Sequence, residues 1–325
     1  MRDAWLLTDS AMPTVDAGVT SPGWARQPWP RDARCWGPEC FALALAGMRF
    51  RLSGLSATQR QALHASYGAY VAAPAADQAW TLETLVLRAR RDLLRAQRPA
   101  DLAVHPLLLA RAKDRLRIAG DDLRAELPLE GPAPAKLWIA DELAIADRTV
   151  SENYLRVAAA YGALARGGLL LHSAGVVIDG RAHLFVGTSG AGKTTLARKA
   201  LAAGLAVLGD DINAAMPAAD GWRTFALPFA GELGAHACAP AACYPLASVH
   251  LLEPFRETAV LALAHERRLL ALIVAAPFVN TDGDRLAALA HNADALARAL
   301  PMRRLRSRRD DPFAAIAAVL PQEAW

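Results

Sequence analysis

The chain is 325 residues long, 54% hydrophobic and 21% charged, with 36 basic against 32 acidic side chains and a formal net charge of +4. That length suits one large or two ordinary domains with real cores, and four cysteines in it exclude a small disulfide scaffold. The opening residues carry no charged segment followed by an apolar one, and the apolar run 269–279 is broken by Pro277, far short of the roughly 18 residues of a membrane helix, so a cytoplasmic protein with no membrane partner is expected.

In chain order, residues 1–37 are rich in Pro, Ala, Gly and Trp without sustained periodicity and are expected to form a flexible N-terminal tail. Phe41 to Leu52 predicts a strand, and Ser56-Ala57-Thr58-Gln59 is a capping box for a helix to about Ser66. Residues 81–97 combine a strand-like alternation over Thr84 to Arg90 with a helix-like stretch over Arg91 to Gln97. Arg115 to Ile118 and Leu123 to Leu127 flank Gly120-Asp121-Asp122 as a hairpin, and a further strand is predicted from Lys136 to Ala140. Residues 38–148 therefore make up an N-terminal α+β, mainly β unit. Thr149 and Glu152 supply a second capping box, opening a helix that stops at Gly167-Gly168 and begins a second domain over 149–325.

Leu169 to Ile178 predicts a strand, Asp179-Gly180 a two-residue hairpin turn, and Arg181 to Val186 the return strand. Pairing Ile178 with Arg181 carries His172 opposite Gly187. There begins Gly187-Thr188-Ser189-Gly190-Ala191-Gly192-Lys193-Thr194, a complete G-x-x-x-x-G-K-[ST] phosphate-binding loop. Lysine occurs only at Lys113, Lys136, Lys193 and Lys199, so its presence in the motif's lysine slot is hard to ascribe to chance. The helix predicted over Thr195 to Ala203 presents unpaired N–H groups and a positive dipole end to an anion. Gly187, Ser189, Gly190, Ala191, Gly192, Lys193, Thr194 and Thr195 are thus the expected nucleotide contacts, with Thr194 also a candidate magnesium ligand.

After the loop helix, Gly204 to Leu208 predicts a strand ending in Gly209-Asp210-Asp211. A strand, helix and parallel strand place both carboxyl ends on one edge, so Asp210 and Asp211 are expected beside Lys193 and Thr194. There one carboxylate can hold magnesium while the other orients or deprotonates an attacking hydroxyl. Glu232, in a Pro/Gly-flanked loop after a strand, reads either as a further carboxylate for the metal or peptide, or as plain surface. Cys35-x4-Cys40 and Cys238-x4-Cys243 with His236 read either as a zinc site or as unlinked thiols. Leu286 to Leu300 predicts a helix, Met302 to Leu305 a strand and Asp311 to Leu320 a terminal helix. The arginines at 303, 304, 306, 308 and 309 read as a charged edge strand or an anion-binding segment, and no nucleic-acid fold signature accompanies them.

The histidine strand Leu171-His172-Ser173-Ala174-Gly175-Val176-Val177, the hairpin, the loop Gly187 to Thr194 and Gly209-Asp210-Asp211 together resemble the catalytic domain of the HPr kinase/phosphorylase family. The resemblance implies an α/β P-loop kinase core of the HPr kinase/PEP carboxykinase type, a β-hairpin leading into the phosphate loop. It further implies ATP and Mg2+ as cofactors, contacts from Lys193 and Thr194 to phosphates and metal, a base among Asp210 and Asp211, assistance from His172, and a homo-oligomer. The Arg-containing loop that this family uses for its carrier protein and for phosphorolysis has no counterpart. The N-terminal half and Ala226-Leu227-Pro228-Phe229-Ala230-Gly231-Glu232-Leu233 look closer to divergent homologues, including kinases of lasso-peptide precursors. The implied function is transfer of the γ-phosphoryl group of ATP to a serine hydroxyl on a peptide or protein. The alternatives are a kinase for a small serine-like compound and a non-catalytic nucleotide-binding regulatory module.

Overall fold

The computed structural model of the protein describes residues 28–31, 34–72, 81–94, 107–120, 122–146, 148–229, 231–234 and 242–320. Most of the expected N-terminal tail lies outside them. The first described elements are β1 (Glu39–Leu45) and β2 (Met48–Leu55). The single strand expected over 41–52 is therefore a hairpin. Ala46 and Gly47 both take positive φ, 50° and 74°, and alanine in that conformation is not a turn signal that a sequence displays. The next helix, α1 (Ala57–Tyr67), is capped as its sequence predicts: Ser56 Oγ accepts from the Gln59 N–H and the Gln59 side chain accepts from the Ser56 N–H.

The ambiguous stretch resolves into β3 (Leu82–Arg88) and the single turn α2 (Arg91–Leu94). There follow β4 (Leu108–Ala112), β5 (Arg115–Ala119), β6 (Leu123–Pro128) and β7 (Ala135–Ile139). The first sheet has the order β1-β2-β3-β7-β6-β5-β4, with β2, β3 and β7 parallel and the remaining pairs antiparallel.

A long helix, α3 (Arg148–Ala165), links this sheet to the second one. Thr149 is the second residue of α3, and Glu152 pairs with Arg156 one turn on. The end of α3 follows expectation: Gly167 takes φ 78° and the Gly168 N–H donates to the Ala163 carbonyl. Tyr154 and Ser151 bond to Thr84 and Tyr67 of the first unit, while the Leu164 carbonyl accepts from Asn292 of the second. One apolar core runs continuously from Phe50 and Leu52 through Tyr154 and Val157 to Leu184 and Val186.

The second unit continues with β8 (Leu169–Ile178), β9 (Arg181–Val186), α4 (Lys193–Ala202), β10 (Ala206–Gly209), β11 (Ile212–Ala218), β12 (Gly221–Phe225) and β13 (Cys243–Pro254). It closes with β14 (Ala259–Leu261), α5 (His265–Ala275), α6 (Leu286–Ala299), β15 (Met302–Ser307) and α7 (Phe313–Val319). Strands β8, β11, β12, β13 and β9 pair in turn and return to β8, closing a five-strand ring. On the far side of β13, β15 pairs with it in parallel and β14 caps β15. The arginine-rich segment expected at a sheet edge is therefore an interior strand. Its pairing with β13, about fifty residues away, is a long-range contact that no local pattern reveals.

Candidate functional site

The hairpin register follows from its turn. Asp179 and Gly180 take φ 50° and 75°, and the ladder pairs Ile178 with Arg181 through to Ser173 with Val186. One step further, His172 leaves this ladder and pairs with Ile212 of β11 instead. Strands β10 and β11 are antiparallel to β8 with nearly one register: Val207 faces Val176, Gly209 faces Gly175 after a one-residue shift, and Ile212 faces His172. Asp210 and Asp211 are the link between them, and the Asp211 carbonyl accepts from the Ser173 N–H. Because β9 and β10 both run antiparallel to β8, their carboxyl ends share one edge. The phosphate loop and the acid pair leave the sheet there.

The loop is shaped by three glycines. Gly190 and Gly192 take φ 76° and 97°, a region where side chains are strained. At Gly187 a Cβ would lie 3.0 Å from Ala191 Cβ and 3.1 Å from the Leu252 carbonyl oxygen, so a side chain there would crowd the loop and β13. The first helical bond runs from the Leu196 N–H to the Gly192 carbonyl, leaving the N–H groups of Lys193, Thr194 and Thr195 pointing out of the first turn of α4. Ser189 and Thr195 are exposed and Thr194 is half-buried. Lys193 is buried, and its ammonium donates to the Gly187 and Thr188 carbonyls at 3.0 Å each.

The acids divide sharply in their surroundings. Asp211 Oδ2 is 2.9 Å from the Arg156 guanidinium and Oδ1 is 3.4 Å from His172 Nε2. Arg156 also bonds Glu152 at 2.6 Å and lies over the Phe229 ring at 5.7 Å. Asp210 is 4% exposed; its Oδ1 accepts a long bond from the Leu233 N–H at 3.4 Å, and its Oδ2 has no hydrogen-bond partner among the described residues. Burial followed by the nearby Lys193 charge pushes the His172 pKa down, against the opposing pull of Asp211. Burial likewise lowers Lys193, with Asp211 acting in the opposite sense. Lys193, Asp210 and Asp211 thus all lie close enough to act on the charge of His172.

Beyond the expected residues, α3 contributes Glu152 and Arg156, and the loop after β12 contributes Phe229, Gly231 and Leu233. Leu227, Pro228 and Phe229 are buried, and Leu227 and Phe229 join the main apolar core. At Gly231 a Cβ would stand 2.1 Å from Asp210 Oδ1 and 3.0 Å from Asp211 Cβ. Glu232, in contrast, is 70% exposed and pairs with Arg198 of α4 at 3.1 Å. Of the cysteines, Cys35 and Cys40 are exposed and Cys243 begins β13, whereas Cys238 and His236 lie outside the described residues. Among the described residues no three His, Cys, Asp or Glu side chains gather as a metal cluster.

This donor set suits a phosphate-bound magnesium ion, which uses one or two protein oxygens and completes its shell with phosphates and water. The Thr194 hydroxyl would hold it, and the glycine cradle with the α4 amides would take the phosphates.

Residues 148–307, from α3 to β15, match the model of a family described as SynChlorMet cassette protein ScmC. The match spans just under half of the chain and contains the histidine strand, the phosphate loop and the acid pair. No curated protein matches the chain. Among the described residues no helix is long and apolar enough to cross a membrane.

Proposed function

We propose that the protein is an ATP- and magnesium-dependent kinase of the HPr kinase-like type that phosphorylates a serine hydroxyl on a peptide or protein, with a ribosomal peptide precursor of the lasso type as the best candidate. The observation that carries this reading is the contrast between the two acids. Asp211 is saturated by Arg156 and His172, whereas Asp210 keeps a buried carboxylate oxygen with no partner among the described residues, beside a complete phosphate loop. Such an orphan is costly unless a ligand uses it.

Bound MgATP would supply the γ-phosphoryl group and the cationic charge that offsets its oxygens. Asp210 orients the acceptor hydroxyl and takes its proton as the oxygen attacks phosphorus and the bond to the leaving diphosphate breaks. Asp211, paired with Arg156, fixes the imidazole of His172. With its pKa pushed down, His172 is neutral near pH 7 and serves as a polar neighbour that adds no competing cation beside Lys193. Lys193 and the loop amides take up charge on the phosphates.

The test incubates the full chain with ATP, magnesium and candidate serine peptides and reads phosphate on the peptide by mass spectrometry. Asp210→Asn is expected to lower transfer by about 10²- to 10⁴-fold while keeping ATP binding. Transfer retained in Asp210→Asn refutes the assigned base. Phosphate found on free serine but on no peptide moves the reading to a small-molecule kinase. Tight ATP binding with no acceptor phosphorylated moves it to a regulatory nucleotide-binding module.

A further inference from the structure

The acids and His172 occupy one flank of the phosphate loop. The other flank has its own constellation, and the strand directions define it. Strands β13 and β15 run parallel to β9, so their carboxyl ends emerge on the same sheet edge as the loop, on the side away from Asp210. The Leu252 carbonyl oxygen lies 3.1 Å from the place where a Gly187 Cβ would stand. Three residues further along the chain, about 10 Å at strand rise, is Phe255. Its N–H donates to the Ser307 carbonyl at 3.0 Å, extending the β13–β15 ladder by one step.

Phe255 is 44% exposed and is the only exposed aromatic side chain among the described residues. The Arg306 guanidinium lies 4.0 Å from its ring centroid. Glu253 holds that guanidinium at 3.4 Å and bonds Arg304 at the same distance, so the cation is anchored to the ring. An aromatic ring backed by a fixed guanidinium and open to solvent is a stacking surface for another flat π system.

We infer that Phe255, backed by Arg306, is the platform on which the base of the bound nucleotide stacks. This rests on the kinase reading, because it takes the phosphates to lie in the Gly187–Thr194 loop with the terminal one turned to the acids. The nucleoside must then leave on the opposite flank, where Phe255 stands about 10 Å along β13 from the start of the loop. A surface contact between two copies of the chain through Phe255 is the competing use of the same ring.

The test compares the binding of MgATP and of magnesium tripolyphosphate, which has phosphates but no base, to wild type, Phe255→Ala, Phe255→Trp and Lys193→Ala by calorimetry, with sedimentation alongside. Loss of one base stack is expected to weaken ATP binding in Phe255→Ala by about 5- to 150-fold. Tripolyphosphate binding should stay unchanged, and Phe255→Trp should bind ATP at least as well as wild type. Lys193→Ala should weaken both ligands. Equal binding of ATP to wild type and Phe255→Ala overturns the platform and leaves the kinase reading standing, as does an equal loss for both ligands. So does a change confined to the oligomeric state, which assigns the ring to a contact between copies. A wild-type protein that binds neither ligand sinks both readings.

Discussion

On the α4 side of β9 and β13, His183 Nδ1, Ser248 Oγ and His250 Nε2 form a buried chain of hydrogen bonds at 2.8 and 2.7 Å. His250 is fully buried, stacks on Phe185 with centroids 5.4 Å apart, and has no partner at Nδ1 among the described residues. Burial, then the neighbouring His183 and Arg303, push the His250 pKa down to about 3; burial, then Arg181, push His183 down to about 4. Both imidazoles are neutral when folded and gain a proton near pH 6.5 when unfolded. A depressed histidine contributes stability that is fully present above the unfolded pKa and is lost as pH falls below it. Between pH 7 and pH 5.5 each group should lose about 1.2 kcal/mol, so the pair loses about 2.5 kcal/mol. His172 shifts in the same direction and adds to this. Against a total stability of about 5 to 15 kcal/mol that is a large fraction. Urea unfolding at the two pH values measures it, and the interval stays above the range in which carboxylates titrate. His250→Phe, which keeps the stack on Phe185, should cut the pH-dependent loss by about 1.2 kcal/mol whatever it does to stability at pH 7. An unchanged loss in that variant would show that His250 is not held neutral by its surroundings.

Two further substitutions probe how the acids are held. Gly231→Ala puts a methyl group 2.1 Å from Asp210 Oδ1, so the carboxylate must rotate away; transfer should fall by at least about 10²-fold with ATP binding intact, and stability by about 1 to 3 kcal/mol. Activity equal to wild type would show that the loop does not set the Asp210 rotamer. Arg156→Gln leaves Asp211 and Glu152 facing each other without the guanidinium that joins them. It should lower kcat more than it changes the KM for ATP, and raise the His172 pKa seen by NMR, because a repelling cation is gone and the acid pull remains. Arg156→Lys should recover part of the loss, and a His172 titration identical to wild type would refute the coupling.

The phosphate loop, the α1 capping box and the histidine hairpin were legible because each is decided by neighbours within about twenty residues. Gly190, Gly192 and Gly180 supply positive φ where the chain must turn, and a two-residue turn leaves a single register for its strands. The Asp pair followed almost as directly, since a parallel strand after a helix returns to the same edge. The β1–β2 hairpin was hidden because its turn opens on Ala46, whose left-handed backbone is imposed by the pairing of its flanks.

What the sequence by itself determined is the set of groups brought to the site: a glycine-rich loop, a lysine, an imidazole and two acids at fixed separations along the chain. Only the tertiary structure decided how those groups differ from one another. Asp210 and Asp211 are adjacent and identical in type, and their separation into an orphaned and a saturated carboxylate comes from Arg156, 54 or more positions upstream, and from the 231–233 loop downstream. The interior place of β15 and the stacking of Arg306 on Phe255 have the same origin. Helix caps and turns are written in nearest-neighbour geometry, whereas burial, ion pairing and strand order depend on which distant segments the whole core brings together.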